Sequence, residues 1–125
     1  MSKIETVKKT VNSFKEIVFA YLFGSYADDT FSARSDIDIA VYLAKEFNTF
    51  DTKLMIHHQL EIRLQRDIDL IILNDIRNYN LLQEILDNGI LIKDSVPQEM
   101  RMLYELDKQH EILDFQAFQR MIYAA

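Results

Sequence analysis

The 125-residue sequence contains no cysteine and no tryptophan, a single proline and two glycines. Without cysteine the chain has no disulfide bond, thiolate metal ligand or cysteine nucleophile. It has no run of about twenty apolar residues, and its charged N-terminus is unlike a signal peptide, so we expect a cytoplasmic protein without a membrane span. The formal net charge of −6 argues against direct nucleic-acid binding, because such modules carry a basic surface that neutralises phosphates.

The order of the periodic segments predicts the fold class. Hydrophobic residues make up 49% of the chain, enough to bury a core, so residues 1–125 are predicted to form a single domain. Helical and strand patterns alternate along the chain, which predicts an α/β (α+β) fold with about four strands covered by helices. The predicted helices are 3–15, 52–65, 75–88 and a long C-terminal helix, 97–123, and the predicted strands are 17–23, 37–43, 66–73 and 90–93.

Several residues are predicted to begin or end these elements. Ser2 and Glu5 have the spacing of a capping box. Asn74 or Asp75 is the predicted cap of the helix that ends at 88, and Gly89 is predicted to end that helix in the left-handed conformation. The last strand, 90–93, is predicted to lie at a sheet edge.

The most informative stretch runs from Ile17 to Leu43. An apolar segment ends in Gly24-Ser25, and ten residues later Asp36-Ile37-Asp38 opens a second apolar segment. In a strand, Asp36 and Asp38 point to the same face, about 6.6 Å apart along the backbone. Two carboxylates this close repel each other by roughly 3 kcal/mol at an effective dielectric near 20. A hard divalent cation such as Mg²⁺, which prefers oxygen ligands, removes that cost.

Gly24 and Ser25 suggest a phosphate site beside these carboxylates. A glycine permits a sharp turn and the close approach of a ligand, and free N–H groups of a helix beginning at Ser25 would bind an anion. Together with Asp36 and Asp38, this pattern indicates a nucleoside triphosphate site. The alternative is an ordinary turn followed by a solvent-facing edge strand.

The segment from Gly24 to Asp38 resembles the signature of the DNA polymerase β-like nucleotidyltransferases: Gly-Ser, a spacer, then Asp-x-Asp on a strand. The stretch 33–41 is particularly similar to the minimal nucleotidyltransferases, the MntA antitoxins that are paired with HEPN ribonuclease toxins. The resemblance extends from about Val11 to Asp94. It implies a mixed sheet with the site at one edge of its face.

The resemblance also implies a third carboxylate on the strand 66–73. Alternation places Asp67 and Asp69 on one face of this apolar strand, and a buried unpaired charge there would be costly. Ile68-Asp69-Leu70 fits the family's apolar-Asp-apolar context best, and Asp67 is the second choice. In this assignment Asp36 and Asp38 bind two Mg²⁺ ions, while Asp69 completes the first metal site and helps to deprotonate the acceptor.

The same resemblance implies an Mg²⁺-dependent enzyme whose substrate is ATP. It would transfer AMP to a tyrosine hydroxyl of a cognate HEPN toxin and thereby neutralise it. Gly24 and Ser25 would hold the triphosphate, and Arg34 and Ser35 are placed to contribute. Arg34 as a solvated partner of Asp28 or Asp29 is the alternative. The other functions considered are neutralisation by contact alone, transfer to a small-molecule hydroxyl, and a purely structural domain.

Two further features of the sequence each permit two interpretations. His57-His58 invites a catalytic interpretation, but histidines in a helix distant from the signature favour surface or packing roles. The C-terminal helix carries an apolar stripe and additional aromatic residues towards its end. This stripe either packs on the domain or forms a protein-binding surface. The stripe residues are Leu103, Leu106, His110, Leu113 and Ala117.

Overall fold

The computed structural model describes residues 2–27, 35–95 and 98–123, with the side chain of Gln98 left out. Two short 3₁₀ turns, Gly24–Tyr26 and Lys45–Phe47, accompany the main elements. The helices are α1 (Lys3–Asn12), α2 (Phe50–Leu64), α3 (Tyr79–Asn88) and α4 (Gln98–Tyr123), and the strands are β1 (Ile17–Phe23), β2 (Ile37–Leu43), β3 (Ile68–Ile72) and β4 (Ile90–Asp94). No helix in these ranges is long and apolar enough to cross a bilayer.

The strands form one mixed sheet in the order β3-β2-β1-β4. β1 pairs antiparallel with both β2 and β4, and β2 pairs parallel with β3. The predicted mixed four-stranded sheet is therefore confirmed, as is the edge position of β4. The parallel pairing of β2 with β3 requires a crossover, which α2 supplies.

Helices cover both faces of the sheet. One core contains Val7 and Val11 of α1 and Ile56 and Leu60 of α2. The core on the opposite face receives Leu82 and Ile85 from α3 and Ile112 from α4, together with side chains of the central strands. Ala40 of β2 belongs to this second core, whereas Ile37 and Ile39 point into the first, as the alternation along β2 predicts.

Local signals succeeded for some helix ends and failed for others. Ser2 caps α1 as predicted, because its hydroxyl accepts a hydrogen bond from the Glu5 backbone. The predicted extension of α1 to residue 15 is wrong, since the helix ends at Asn12. α2 begins at Phe50 rather than 52, because the Thr49 side chain caps it. β3 is shorter than 66–73 at both ends.

The predicted cap of α3 and the predicted conformation of Gly89 are wrong. Asn78 caps α3, its side chain accepting from the Leu81 backbone. Gly89 has φ −70° and ψ 151°, an extended conformation. A glycine is needed at position 89 for a different reason, because an added Cβ would lie 2.3 Å from the carbonyl oxygen of Ile85. The left-handed conformation occurs instead at Gln65, where α2 ends.

Asn74, the rejected cap residue, holds the end of β2. Its side-chain oxygen accepts from the Leu43 backbone N–H at 2.9 Å, and its amide nitrogen donates to the Leu43 carbonyl at 2.8 Å. The last backbone hydrogen bond between the two segments, from the Leu73 N–H to the Val41 carbonyl, lies next to these two side-chain hydrogen bonds. Asn74 thus replaces the next rung of the β2–β3 ladder and satisfies two backbone groups of a fully buried residue.

The α4 stripe faces outward. Leu103, Leu106 and Leu113 are all exposed, and α4 packs on the domain through another side that includes Tyr104 and Ile112. Tyr104 donates a hydrogen bond to the Leu73 carbonyl at 2.8 Å. In the chain by itself, the stripe is therefore an uncovered surface.

We expect Asn74→Ala to lower the free energy of unfolding by about 2 kcal/mol, because two buried backbone groups of Leu43 lose their partners. Urea denaturation measures the change. Asn80→Ala, at an exposed position of α3, is the matched control and should stay within about 0.5 kcal/mol of the parent. Equal effects of the two substitutions would contradict the role given to Asn74.

Candidate active site

The parallel pairing of β2 and β3 brings two of the predicted carboxylates together. Asp38 and Asp69 are register partners on neighbouring strands, which lie about 4.8 Å apart. Their side chains are close enough to share a hydrogen bond. Asp38 is half-buried and Asp69 is exposed, so the pair opens to solvent on the sheet face that α3 and α4 cover further along the strands.

Gly24 lies directly against the Asp38 carboxylate. Phe23, the last residue of β1, is the register partner of Asp38, and Gly24 follows it with φ +70°. A Cβ at this position would lie 2.2 Å from the Asp38 Oδ2, closer than any real contact. Glycine is therefore required twice, for its left-handed backbone and for the space that the carboxylate occupies.

The carboxylates perturb one another. Burial, the charge of Asp69, the hydrogen bond with Asp69 and the charge of Asp36 together raise the pKa of Asp38 to about 6. The neutral form of Asp38 is favoured first because burial removes its carboxyl from water, and second because the negative charges of Asp69 and Asp36 act on it. Protonation of Asp38 relieves the repulsion between these carboxylates, and a bound cation would relieve it as well.

The other predicted site residues occupy the surroundings of this pair. Asp36 is exposed and directly precedes β2, and Ser25 is half-buried in the 3₁₀ turn after β1. Ser35 is half-buried just before Asp36. Asp67 is exposed and directly precedes β3; its carbonyl accepts a hydrogen bond from the Ile37 N–H. Arg34 lies outside the described residues.

Arg66 is a site neighbour that the sequence reasoning missed. Its guanidinium donates to the carbonyl of Ser35 and lies over the Tyr26 ring, 5.7 Å from the centroid. It thereby links the turn after β1 to the residue that leads into Asp36. A single arginine before an apolar strand carries no signal for this role, because the contact depends on the parallel register of β2 and β3.

Two side chains of α2 support the site: Glu61, which the sequence reasoning missed, and His57, for which it predicted only a surface or packing role. His57 Nε2 lies 2.8 Å from the Ile68 carbonyl oxygen, and Glu61 accepts from the Ile68 N–H at 3.2 Å. β3 is an edge strand, so these two α2 side chains satisfy backbone groups that no further strand pairs. The packing role predicted for His57 agrees with this contact, which also fixes the residue before Asp69.

The donor set suits a hard cation. Among the residues described, no three acidic or histidine groups are already gathered closely enough to hold a metal ion. Asp38 and Asp69 nevertheless meet, Asp36 is near enough to act on Asp38, and all three offer carboxylate oxygens. Such ligands fit Mg²⁺, which typically takes one or two carboxylates and completes its shell with water and phosphate.

Comparison with known proteins identifies the class. The sequence profile of the family described as "Polymerase beta, Nucleotidyltransferase" matches residues 5–98. The chain therefore belongs to this family, and the resemblance drawn from the Gly24–Asp38 signature is confirmed at that level. No curated protein sequence matches the chain significantly.

Solved structures of toxin–antitoxin complexes share the fold. A toxin–antitoxin structure with AMP-PNP matches with a TM-score of 0.78 and 25% identity, over 95% of this chain and 94% of that chain. The MntA–HepT toxin–antitoxin structure matches with a TM-score of 0.72 and 22% identity, over 96% and 92% of the two chains. The tri-AMPylated Shewanella oneidensis HEPN toxin in complex with its MNT antitoxin has a TM-score of 0.72 and 23% identity, with the same coverage.

Because Asp38 binds its proton more tightly when folded than when unfolded, its contribution to stability is present below about pH 4 and is lost as the pH rises through about 6. In metal-free buffer, the Asp38→Asn variant should therefore be as stable as the parent near pH 4 and more stable than the parent well above pH 6. We expect a gain of about 1 kcal/mol after solvent screening, or about 3–5 °C in Tm. Thermal melts across this range measure it, and Asp67→Asn is the control. A gain independent of pH would contradict the repulsion.

The contact between Gly24 and Asp38 can be tested by a double-mutant cycle. Gly24→Ala should cost about 3 kcal/mol of unfolding free energy, from the left-handed backbone and from the clash with the carboxylate. In an Asp38→Ala background the clash disappears, so only the backbone cost of about 1–2 kcal/mol should remain. Equal costs in the two backgrounds, measured by urea denaturation, would show that the contact does not constrain residue 24.

Proposed function

We propose that this chain is an antitoxin that transfers AMP from ATP to a tyrosine hydroxyl of a HEPN ribonuclease toxin and so neutralises it. The observation that carries the proposal is the meeting of Asp38 and Asp69 at the sheet corner, with Gly24 against the Asp38 carboxylate. Membership of the nucleotidyltransferase family supports the reaction class. Similarity to a toxin–antitoxin structure that contains AMP-PNP supports ATP as the donor.

The proposed reaction is an in-line displacement at the α-phosphorus of ATP. The tyrosine oxygen attacks, a new P–O bond forms, and the bond to the bridging oxygen of the β-phosphate breaks, releasing pyrophosphate. The hydroxyl proton passes to a carboxylate, for which exposed Asp69 is our assignment. The half-buried turn at Gly24 and Ser25, beside the Asp38 carboxylate, is where we place the triphosphate.

We assign Mg²⁺ to the carboxylates of Asp36, Asp38 and Asp69, with two ions as the expected number. When bound, Mg²⁺ would neutralise the charge on the attacking and leaving oxygens. The protein's own contribution is to hold the acidic side chains together despite their repulsion. Arg66 and the His57–Glu61 pair hold the backbone segments that carry them.

A protein acceptor fits the complexes whose fold this chain shares. The Shewanella oneidensis complex contains a tri-AMPylated HEPN toxin, which supports the toxin itself as the acceptor. Neutralisation by contact alone is a second candidate, and a specific observation favours it: the apolar stripe of α4 is exposed. The two candidates differ in whether the carboxylates are needed.

Intact mass of the cognate HEPN protein tests the proposal after incubation with this chain, ATP and Mg²⁺. We expect a gain of whole AMP units, located on a tyrosine by fragment mapping. Asp38→Asn should slow the gain by about 100-fold or more, because several kcal/mol of transition-state charge stabilisation are lost. Asp67→Asn, with the same change of charge just before β3, should retain most of the activity.

The paired variant Asp36→Asn, Asp38→Asn separates catalysis from contact. If it still binds the HEPN protein but no longer neutralises its ribonuclease activity, neutralisation requires the transfer. Full neutralisation without any gain in mass would overturn the enzymatic proposal in favour of contact.

A further inference from the structure

α4 concentrates the apolar surface of the molecule. In the described part of the chain, nine of the fourteen exposed large hydrophobic side chains lie on this one helix. Its last turn, 118–123, exposes Phe118, Met121, Ile122 and Tyr123 around the helix, and Tyr123 is 81% exposed. Such a concentration is larger than scattered surface hydrophobics produce and is typical of an interaction surface.

The spacing of the exposed stripe indicates what kind of element covers it. Leu103, Leu106, His110, Leu113 and Ala117, which we call the α4 seam, alternate steps of three and four residues. This is the a/d pattern by which one helix packs along another at a shallow angle. A groove of about 550 Å³ extends along the start of the seam, between Leu86 of α3 and the side chains of Met102, Leu103 and Leu106.

The charges beside the seam indicate the partner's chemistry. Asp107 and Asp114 are exposed, seven residues apart, and both directly follow a seam leucine, so they form one acidic border. In an antiparallel pair of two α4 helices these borders would face each other. In a parallel pair they would face Gln109 and Gln116, leaving the acids without a cation. Since each copy also has a net charge of −6, a second copy is a poor occupant.

The seam lies on the same side of the sheet as the carboxylates. α4 packs on the face of β2 that carries Asp38, and the ring of Tyr104 lies 5.2 Å from that of Tyr42. Tyr42 is four residues beyond Asp38 on the same strand, about 13 Å along it. A protein bound along α4 would therefore reach the acidic corner without crossing the sheet.

We propose that the α4 seam docks an amphipathic helix of the acceptor protein, whose own apolar stripe is bordered by basic residues opposite Asp107 and Asp114. This inference rests on the proposed function for the identity of the partner, the HEPN protein. Docking on α4 would hold the acceptor on the side of the sheet where its hydroxyl must enter.

The test compares two pairs of substitutions in the full chain with matched chemistry and exposure. Leu106→Glu, Leu113→Glu changes seam residues that are 56% and 58% exposed, and Leu54→Glu, Ile62→Glu changes α2 residues that are 56% and 54% exposed. We expect the seam pair to weaken affinity for the HEPN protein at least about 100-fold, measured by calorimetry, and the α2 pair to leave it within about threefold. Both pairs should keep the parent's thermal shift with Mg²⁺ and ATP.

Charge reversal tests the chemistry of the partner. Asp107→Lys, Asp114→Lys should weaken binding at least about tenfold at low salt and much less at high salt, since it replaces attraction across the interface with repulsion. Unchanged affinity after charge reversal would overturn the inference that basic residues of the partner lie opposite Asp107 and Asp114.

The outcomes separate this proposal from the proposed function. If the seam pair binds like the parent, or if the α2 pair loses binding instead, docking on α4 is wrong whether or not AMP transfer occurs. If the parent binds through the seam but no AMP is transferred, docking stands and the enzymatic proposal fails. A parent chain that sediments as a dimer, with a monomeric seam variant, would identify a second copy as the occupant and overturn the proposal.

Discussion

Repulsion between carboxylates at one sheet corner is the constraint on which the site depends. Asp38 and Asp69 are neighbours only because β2 and β3 run parallel, and the crossover helix α2 makes that pairing possible. Burial and the neighbouring negative charges of Asp69 and Asp36 both raise the pKa of Asp38, to about 6. The fold therefore holds acids where their charges oppose stability, which is typical of a site whose charge is completed by a ligand.

The residues that support this corner come from three separate parts of the chain. Gly24 ends β1 without a side chain, Arg66 links the turn to Ser35, and His57 and Glu61 occupy the outer backbone groups of β3. Arg66, His57 and Glu61 act on the backbone, and only Gly24 lies against a carboxylate, that of Asp38. The position of each acid is thus set by strand register and by hydrogen bonds to neighbouring backbone, so the carboxylate oxygens remain available to a ligand.

Much of the fold and the core of the candidate site were predictable from sequence. The bounds of β1 and β2 were predicted correctly because both strands are continuous apolar runs ended by Gly24 or opened by the Asp pair. Contacts between distant segments were not predictable. Asn74 and Asn78 carry equal local cap signals, and only tertiary contact with Leu43 assigns Asn74 to the strand end. Arg66 acquires its role in the same way, through the register of two strands.

Which side of α4 packs on the domain could not be predicted from the sequence. The helix is apolar on two sides, so periodicity alone does not say which side the domain uses. Tyr104 and Ile112 pack on the sheet face among side chains of β1 and β2, and the ring of Tyr104 contacts that of Tyr42. Tyr104 also donates a hydrogen bond to the Leu73 carbonyl. The α4 seam lies on the other side of the helix and remains exposed. A helix of 26 residues is about 39 Å long, more than a four-stranded sheet can cover. Its regular outer stripe and its aromatic end therefore stay exposed on the described domain, and this is the surface that we assign to the acceptor protein.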